Sequence, residues 1–351
     1  MDLPDFFIGG VPKAGTTALH VALAQHPHLF LSRVKEPKYF LTDGPPPKRG
    51  GPGDARTFRE YMWRREDYEA LFADAPPDTL RGESSPFYLW SADAHRRIRD
   101  AVPAARMIVV LRDPVDRAHS NWTHLWSHGL ESESDFVAAC RLEHQRADAG
   151  WAPFWRYLEL GRYGDQLTRL YETFPREQVL VLRYRLLRER PVDTLDRICA
   201  FLGVAQGVLD EVPAENVTTH ASPTAANRAL ATALRGLHAV EHRLPRRWWP
   251  RIDATLSRAL QSEQRRRQPL TPEQRSQLIP DFVDDVAVLE RLTGESFRDW
   301  LDPNGPAPRT TLPPTGRIGT AFGSIDRPLP RSQWVDDSVP TSRVEAGRKS
   351  P

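Results

Sequence analysis

The stretch FFIGGVPKAGTTALH, residues 6–20, decides which fold the sequence predicts. An apolar run leads into a pair of glycines, and a helical pattern begins at Thr16. The spacing from Gly10 to Gly15 fits the phosphate-binding loop G-x-x-x-x-G-K-[ST]. Thr16, however, stands where that motif has its lysine, and Lys13 lies inside the loop. The pattern therefore predicts a strand, an anion-binding turn and a helix, with the cation in an unusual place.

The residue types of this loop are suited to an anion. Glycines let successive backbone N–H groups face one point, and the following helix adds the positive end of its dipole. Lys13 adds a full charge, and Thr16 and Thr17 add hydroxyl donors. Of the 48 basic residues only five are lysines, and four of these lie within the first 48 positions. Because arginine's planar fork does not copy the compact charge of lysine, we interpret Lys13 as functional.

Apolar runs and helical patterns alternate along the chain. We predict strands over residues 5–9, 29–31, 79–84, 105–112 and 177–184. We predict helices over residues 16–25, 61–72 and 92–101, from 114 onward, and over 134–148, 164–174, 192–202, 224–242, 253–266 and 272–293. This alternation predicts an α/β fold with a mainly parallel sheet covered on both faces. Ligands of such sheets bind beyond the carboxyl ends of the strands, which here carry GGVPKAGTT, GESSPF and LRDP.

Composition limits the domain organisation and the class of partner. The chain has 351 residues, 40% hydrophobic and 27% charged, which is typical of globular proteins. We predict one domain over residues 1–302 and a Pro-rich, disordered tail over 303–351. A net charge of +2 argues against nucleic-acid binding, so any anion site is local. With no export signal and no apolar run of about 18 residues, we expect a cytoplasmic protein without a membrane span. In such a protein, Cys140 and Cys199 are expected to be reduced core residues.

A second anion feature is LRDPVDRAHS, residues 111–120. Arg112 ends a buried strand, and Ser120 lies two helical turns further on. An arginine and a hydroxyl at that sheet edge can bind a phosphate, the arginine in bidentate fashion. The alternative is that Arg112 pairs with Asp113 or Asp116 as a structural contact. The presence of the first loop favours the phosphate.

Taken together, the segments PKAGTT, KEPKYF, GESSPFYL, VLRDPVDRAHSNW and RYGDQLTRLYETFPREQVLVLRY resemble the sulfotransferase family, in particular bacterial members related to heparan-sulfate-type carbohydrate sulfotransferases. The resemblance covers about residues 5–240. It implies a P-loop-like, three-layer α/β/α fold and the donor 3′-phosphoadenosine 5′-phosphosulfate (PAPS). It further implies that the 5′-phosphosulfate is held by Lys13, Ala14, Gly15, Thr16 and Thr17. For the 3′-phosphate it implies Arg112 and Ser120, with Arg228 as a further contact.

The segment VKEPKYF, residues 34–40, carries a carboxylate between two lysines. The simplest interpretation is a solvated loop, but an acceptor hydroxyl needs a general base as it attacks sulfur. In related carbohydrate sulfotransferases the glutamate of a similar stretch is considered that base. The resemblance thus implies Glu36 as the base, with Lys35 orienting substrate or donor. The histidines that follow Arg112 are the alternative base: His119, His124 and His128.

The roles of several other positions are open. Several relatives have a lysine after the glutamate of GESSPF, where this chain has Ser84, so the substrate-side role of residues 83–86 is open. Tyr163, at the start of a helix, is a possible contact of the donor, although an aromatic there is more often packing. Trp122 and Trp126 could line an acceptor cleft or belong to the core.

The sequence therefore predicts a metal-independent enzyme that transfers a sulfuryl group from PAPS to a hydroxyl, or less readily an amine. The expected acceptor is a carbohydrate, a glycolipid or a small metabolite; the oligomeric state is open. A cation, Arg112, ends the strand where Mg²⁺-dependent phosphoryl transfer would place an acidic residue. Two alternatives remain: a small-molecule kinase with a degenerate P-loop, and a non-catalytic protein that binds adenosine bisphosphate.

Overall fold

The computed structural model describes residues 3–213 and 269–305. Five strands form one sheet, and every pair is parallel. Their order in the sheet is β2-β3-β1-β4-β5. In chain order they are β1 (Phe6–Gly10), β2 (Leu29–Leu31), β3 (Leu80–Ser84), β4 (Arg106–Leu111) and β5 (Val179–Arg183). The predicted parallel α/β sheet is confirmed.

The sheet is central because its middle strands are apolar on both faces. All five residues of β1 are buried, as are five of the six in β4. Continuous apolar runs of this kind are typical of parallel strands covered by helices on both sides. Phe6 of β1 lies opposite Gly82 of β3 on one side and Arg106 of β4 on the other. At Gly82 a Cβ would lie 2.2 Å from the Phe6 ring, so glycine makes room for the aromatic.

Helices connect and cover the strands. Within the described residues they are α1 (Thr16–Leu23), α2 (Asp54–Arg59), α3 (Arg65–Glu69), α4 (Ala92–Ala101), α5 (Pro114–Ser127), α6 (Phe136–Arg141), α7 (Glu143–Asp148), α8 (Tyr163–Thr173), α9 (Tyr184–Glu189), α10 (Pro191–Leu202), α11 (Pro272–Leu278) and α12 (Val283–Thr293). None of them is both long and apolar enough to cross a membrane. Cys140 on α6 and Cys199 on α10 are free and buried, as predicted.

Three predicted helices are shorter than expected or divided. The helix predicted over 61–72 begins only at α3, because the amide of Met62 donates to the carbonyl of Pro37 (2.9 Å) instead of to a helical turn. The helix predicted over 272–293 divides into α11 and α12 at a turn containing Pro280, which lacks the N–H that an unbroken helix needs. The helix predicted over 134–148 is interrupted at Leu142, between α6 and α7.

Some predictions lie outside the described residues. These are the helices predicted over 224–242 and 253–266 and nearly all of the predicted tail, 303–351. The boundary after residue 302 therefore stays a prediction.

Strand order decides which loops meet. Since β1 lies between β3 and β4 and all three run in the same direction, their carboxyl ends lie side by side. The segments that leave those ends begin at Val11, Ser85 and Arg112. The sheet thus brings the loop after β1 next to two segments that lie more than 70 positions further along the chain.

We expect Gly10→Ala to destabilise the protein more than Gly44→Ala does. Both glycines have a positive φ, 97° and 107°, so both substitutions introduce backbone strain of about 1–3 kcal/mol. Only at Gly10 would the new Cβ also lie 2.5 Å from the carbonyl oxygen of Val110; at Gly44 nothing lies within 4 Å. Free energies of unfolding from urea titration test this, and equal losses in the two variants would contradict it.

Candidate active site

The loop from Gly10 to Gly15 forms the first part of the site. Lys13 and Gly15 have left-handed backbone, with φ of 73° and 78°. Gly15 is also the N-cap of α1, and no side chain caps that end of the helix. A Cβ at Gly15 would lie 2.5 Å from the ring of Tyr184, so only glycine fits. The loop thus presents the positive end of α1, with half-buried Lys13 beside it, as an anion site requires.

Arg112 connects the two predicted anion features. Its Nη1 donates to the carbonyl oxygen of Lys13 (2.8 Å), and its guanidinium lies over the ring of Tyr184, 5.1 Å from the centroid. Asp113 and Asp116, the partners in the alternative interpretation, each pair with Arg275, at 2.7 and 3.3 Å. Arg112 therefore supports the loop directly.

Ser120 and Tyr163 are two further residues that the sequence associates with the donor. Ser120 is buried on α5. Asp113 caps the start of this helix by accepting a hydrogen bond from the amide of Asp116 (2.9 Å). The hydroxyl of Tyr163 donates to the carbonyl oxygen of Arg112 (2.7 Å), and its ring packs edge-on against Trp300. The packing interpretation of Tyr163 accounts for these contacts.

A cavity of about 350 Å³ opens where β4 and β5 end. Its basic and aromatic lining residues are Arg112, Arg183, Tyr184, Arg185, Arg188 and Trp300. Apart from Arg112, none of these was singled out from the sequence. The available signal was the segment RYRLLR, which leaves a buried strand at the same sheet edge as LRDP.

The segment from Lys35 to Lys38 forms the second part of the site. The Nζ atom of Lys35 lies 2.6 Å from Oε1 of Glu36, and that of Lys38 lies 3.7 Å from Oε2. The amide of Glu36 donates to the carbonyl oxygen of Ser84 (2.9 Å), which ties the segment to the end of β3. A cavity of about 290 Å³ is lined by Val34, Lys35, Glu36, Lys38 and Glu60. Glu36 therefore faces a space that a substrate can enter.

Electrostatics keep Glu36 ionised. Burial acts to raise the pKa of its carboxyl, but the charges of Lys35, Lys38 and Lys13 together outweigh burial and lower the pKa below its ordinary value. The influence of Lys13 places the anion loop and this carboxylate within electrostatic reach of one another. A carboxylate held in this state can accept a proton.

At Ser84, the position noted above as a lysine in several relatives, the serine hydroxyl contacts a histidine. Nδ1 of His20 lies 2.8 Å from the Ser84 hydroxyl. Burial, together with the charge of Lys35, lowers the pKa of His20 to about 4. Where those relatives have the cation of a lysine, this protein therefore has a hydroxyl and a neutral imidazole.

The histidines offered as alternative bases lie in packed surroundings. His119 is buried between the rings of Trp122 and Phe136, 5.6 and 4.9 Å away. Burial and the charge of Lys13 bring the pKa of His124 well below its usual range, and its ring lies 4.3 Å from that of His128. Glu36, by contrast, is half-buried and lines the cavity next to Lys35 and Lys38.

Trp122 and Trp126 belong to the core. Their rings stack 5.9 Å apart, and both side chains are buried. The indole of Trp122 donates to the carbonyl oxygen of Glu133 (3.0 Å). The core interpretation of the two tryptophans is therefore the one that the structure supports.

Two further predictions about the site concern Arg228 and the absence of a metal ion. Arg228 lies outside the described residues. In residues 3–213 and 269–305 no group of three or more His, Cys, Asp or Glu side chains is arranged to hold a metal ion.

Comparison with known proteins agrees with the geometry. Residues 4–207 match the family model described as the sulfotransferase family. The chain belongs to this family. The mouse bifunctional heparan sulfate N-deacetylase/N-sulfotransferase 3 is 31% identical to this sulfotransferase over 214 residues, which cover 58% of the chain and 22% of the mouse protein.

Two further proteins are similar to this chain. Mouse heparan sulfate glucosamine 3-O-sulfotransferase 3B1 is 29% identical over 214 residues, covering 60% of this chain and 48% of the mouse protein. The sulfotransferase thus spans less than half the length of both curated relatives. A crystal structure of a sulfotransferase from Alicyclobacillus acidocaldarius, 27% identical, superposes with a TM-score of 0.66 over 86% of this chain and 99% of the other. Family and fold, both predicted, are confirmed.

We expect His20→Gln to make the stability of this sulfotransferase less sensitive to acid. The folded-state pKa of His20 is lowered to about 4 from an ordinary 6.5. Between these values the unfolded chain binds a proton that the folded chain does not, so the free energy of unfolding falls as pH falls from 6.5 towards 4. Replacing the imidazole with an amide removes that contribution, at most about 1.4 kcal/mol per pH unit.

Urea titrations at several pH values between 4 and 7 measure this dependence. His144→Gln, at an exposed position on α7, is the matched control. The same pH slope in His20→Gln as in the unchanged protein would contradict the expectation.

Proposed function

We propose that the protein transfers a sulfuryl group from PAPS to a hydroxyl, less readily an amine, of a carbohydrate, glycolipid or small metabolite. Lys13 stabilises the leaving 5′-phosphate, and Glu36 takes the proton of the acceptor. The observation that carries this proposal is that β1 and β3 end side by side, so the loop around Lys13 and the segment of Glu36, which is hydrogen-bonded to Ser84 at the end of β3 (2.9 Å), lie at one edge of the sheet. It joins an anion-binding loop and a proton acceptor in one site, as in-line transfer between two substrates requires.

The basic surface on the donor side supports a nucleotide with phosphates at both ends. The loop around Lys13 suits the phosphosulfate end, and Arg112 and Ser120, with Arg228, suit the 3′-phosphate. The cavity at the ends of β4 and β5 lies between Arg112 and further arginines, next to the ring of Tyr184. Asp113, Asp116 and Glu189 also line it; its volume and the arginines beside the Tyr184 ring suit a nucleoside that carries phosphate.

The reaction follows from the placement of these groups. The acceptor oxygen forms a bond to sulfur while the bond from sulfur to the bridging phosphate oxygen breaks. Glu36 Oε takes the acceptor proton, and the electron pair of the broken bond stays on the 5′-phosphate. Charge therefore develops on the leaving phosphate, where the Lys13 ammonium and the loop N–H groups stabilise it. Both partners of the carboxylate, Lys35 and Lys38, keep it ionised before the transfer.

We further propose that the transfer needs no metal ion. The cations near the loop, Lys13 and Arg112, carry the positive charge that Mg²⁺ supplies to bridging oxygens in phosphoryl transfer. Sulfuryl groups carry less negative charge than phosphoryl groups, so side-chain cations suffice. Both mouse relatives are named for heparan sulfate, which supports a carbohydrate acceptor.

We expect Lys13→Ala to lower turnover about 10²–10³-fold, the range for losing one donor that stabilises developing charge. Transfer from radiolabelled PAPS to desulfated heparan oligosaccharides and to a metabolite extract of the source organism, with EDTA present, measures this. Lys48→Ala is the matched control, since Lys48 is an exposed lysine of the Pro-rich loop. Equal turnover in both variants would contradict the role of Lys13. Transfer from ATP with Mg²⁺ but not from PAPS would support the kinase instead.

We expect Glu36→Gln to lose activity about 10²–10⁴-fold, the usual contribution of a general base, while binding of adenosine 3′,5′-bisphosphate persists. The amide keeps the shape of the side chain but accepts no proton. Calorimetry of bisphosphate binding and the labelled-transfer assay separate the two effects. Near-normal turnover in this variant would remove Glu36 as the base. Tight binding without transfer by the unchanged protein would favour the non-catalytic alternative.

A further inference from the structure

Glu83, at the carboxyl end of β3, is a fully buried carboxylate whose neighbours are hydroxyl groups. Tyr68 donates to its Oε1 (3.0 Å), and Ser85 donates to its Oε2 (2.8 Å). The hydroxyl of Tyr88 also forms a hydrogen bond to it. Burial raises the pKa of Glu83 to about 7, and the three hydroxyls oppose that rise. Three donors therefore converge on one acceptor beneath the site.

Each of the three hydroxyl-bearing residues also contacts the segment that follows Glu36. The amide of Lys38 donates to Oγ of Ser85 (3.1 Å). The amide of Phe40 donates to the hydroxyl of Tyr88 (3.3 Å). The contacts of Glu83 thus extend, through one intermediate side chain each, to two backbone amides of this segment.

The third connection is made by stacking. The ring of Tyr68 lies parallel to that of Tyr39, with centroids 4.3 Å apart and planes inclined by 9°. Phe40 packs edge-on against Tyr68 as well, at 5.5 Å. Three consecutive residues, 38, 39 and 40, are therefore each held by a side chain that is bonded to Glu83.

This segment needs such support because its backbone is strained. Glu36 and Lys38 have φ of 60° and 59°, in the left-handed region that non-glycine residues seldom adopt. Each such residue adds strain of about 1–3 kcal/mol and persists only where its surroundings fix it. The bond from the Glu36 amide to Ser84 fixes one end. The contacts organised by Glu83 fix the other.

A carboxylate suits this position better than its amide. With a pKa of about 7, Glu83 presents only acceptors when it is ionised and a single O–H donor when it is protonated. In the ionised form each hydroxyl donates its proton to Glu83 and keeps its lone pairs for the backbone N–H groups. Glutamine in its place would present two N–H donors to hydroxyls that already donate. At least one hydroxyl would then lose its acceptor, and the segment would shift with it.

We propose that Glu83 is a positioning residue of the transfer reaction. Through Ser85, Tyr88 and Tyr68 it holds residues 36–40 in the backbone conformation that directs Glu36 into the site. The proposal rests on the function proposed above for Glu36. Glu83 itself is fully buried and takes no part in the bonds that form and break.

Glu83→Gln tests the proposal. We expect kcat to fall on the order of 10²-fold, the loss that a displacement of about 1 Å brings to a catalytic group, with unchanged affinity for adenosine 3′,5′-bisphosphate. In a Glu36→Gln background the same substitution should lower kcat little further, because the group that it positions is already inactive. The labelled-transfer assay with PAPS and desulfated heparan oligosaccharides measures all four proteins.

Glu143→Gln is the matched control. Glu143 is another buried carboxylate, which accepts from the amides of Leu158 (2.7 Å) and Glu159 (3.2 Å), far in sequence from residues 36–40. A purely structural effect would lower stability in both variants and leave kcat of the folded fraction unchanged in both. A loss of kcat specific to Glu83→Gln supports positioning.

The results distinguish the proposed role of Glu83 from the proposed role of Glu36 as the base. Full kcat in folded Glu83→Gln overturns the role of Glu83, and so does an equal loss in the two Glu36 backgrounds. Near-normal turnover in Glu36→Gln alone overturns the base assignment instead. Should Glu83→Gln fail to fold, Ser85→Ala and Tyr88→Phe each remove one connection. A smaller loss of kcat that vanishes in the Glu36→Gln background supports the proposal, and full kcat in both overturns it.

Discussion

The parallel pairing of β1 with both β3 and β4 is the constraint on which the site depends. It aligns the carboxyl ends of three strands, so the loop after Gly10, the turn after Ser84 and the strand end at Arg112 become neighbours. The close approach of Gly10 to Val110 leaves no room for a side chain at that point. Any disturbance of this pairing would separate the cations of the donor side from the carboxylate of the acceptor side.

Two kinds of electrostatic environment meet at that edge. On one side, Lys13, Arg112 and the uncapped end of α1 form a cationic surface suited to phosphate and sulfate. On the other side, Glu36 is a carboxylate that two lysines keep ionised. A carboxylate beside an anion site is unfavourable unless it serves the chemistry, and the proton transfer that we propose for Glu36 gives it that purpose. A second carboxylate, Glu83, has the separate role that we propose of holding the backbone of residues 36–40 in its conformation.

Much of the fold and part of the site could be predicted from the sequence. The strands and the anion loop have strong local signals, namely apolar runs and glycines followed by a helix start. The division of the helix predicted over 272–293 had a signal at Pro280, whereas the late start of α3 depends on a bond between Met62 and Pro37. The lining of the cavity by Tyr184 was missed, because its contact with Gly15 joins residues that no pattern connects.

The sequence by itself indicated the parallel sheet, the strand, turn and helix around Lys13 and the sulfotransferase family, because each can be recognised from patterns within single segments, even where those segments lie far apart in the chain. Only the tertiary structure decided that Arg112 bonds to the loop and that His20 contacts Ser84. It also showed that three hydroxyls connect Glu83 to residues 38–40. These contacts join segments from different strands and helices, and their distances follow from strand order and side-chain packing, which local patterns do not encode.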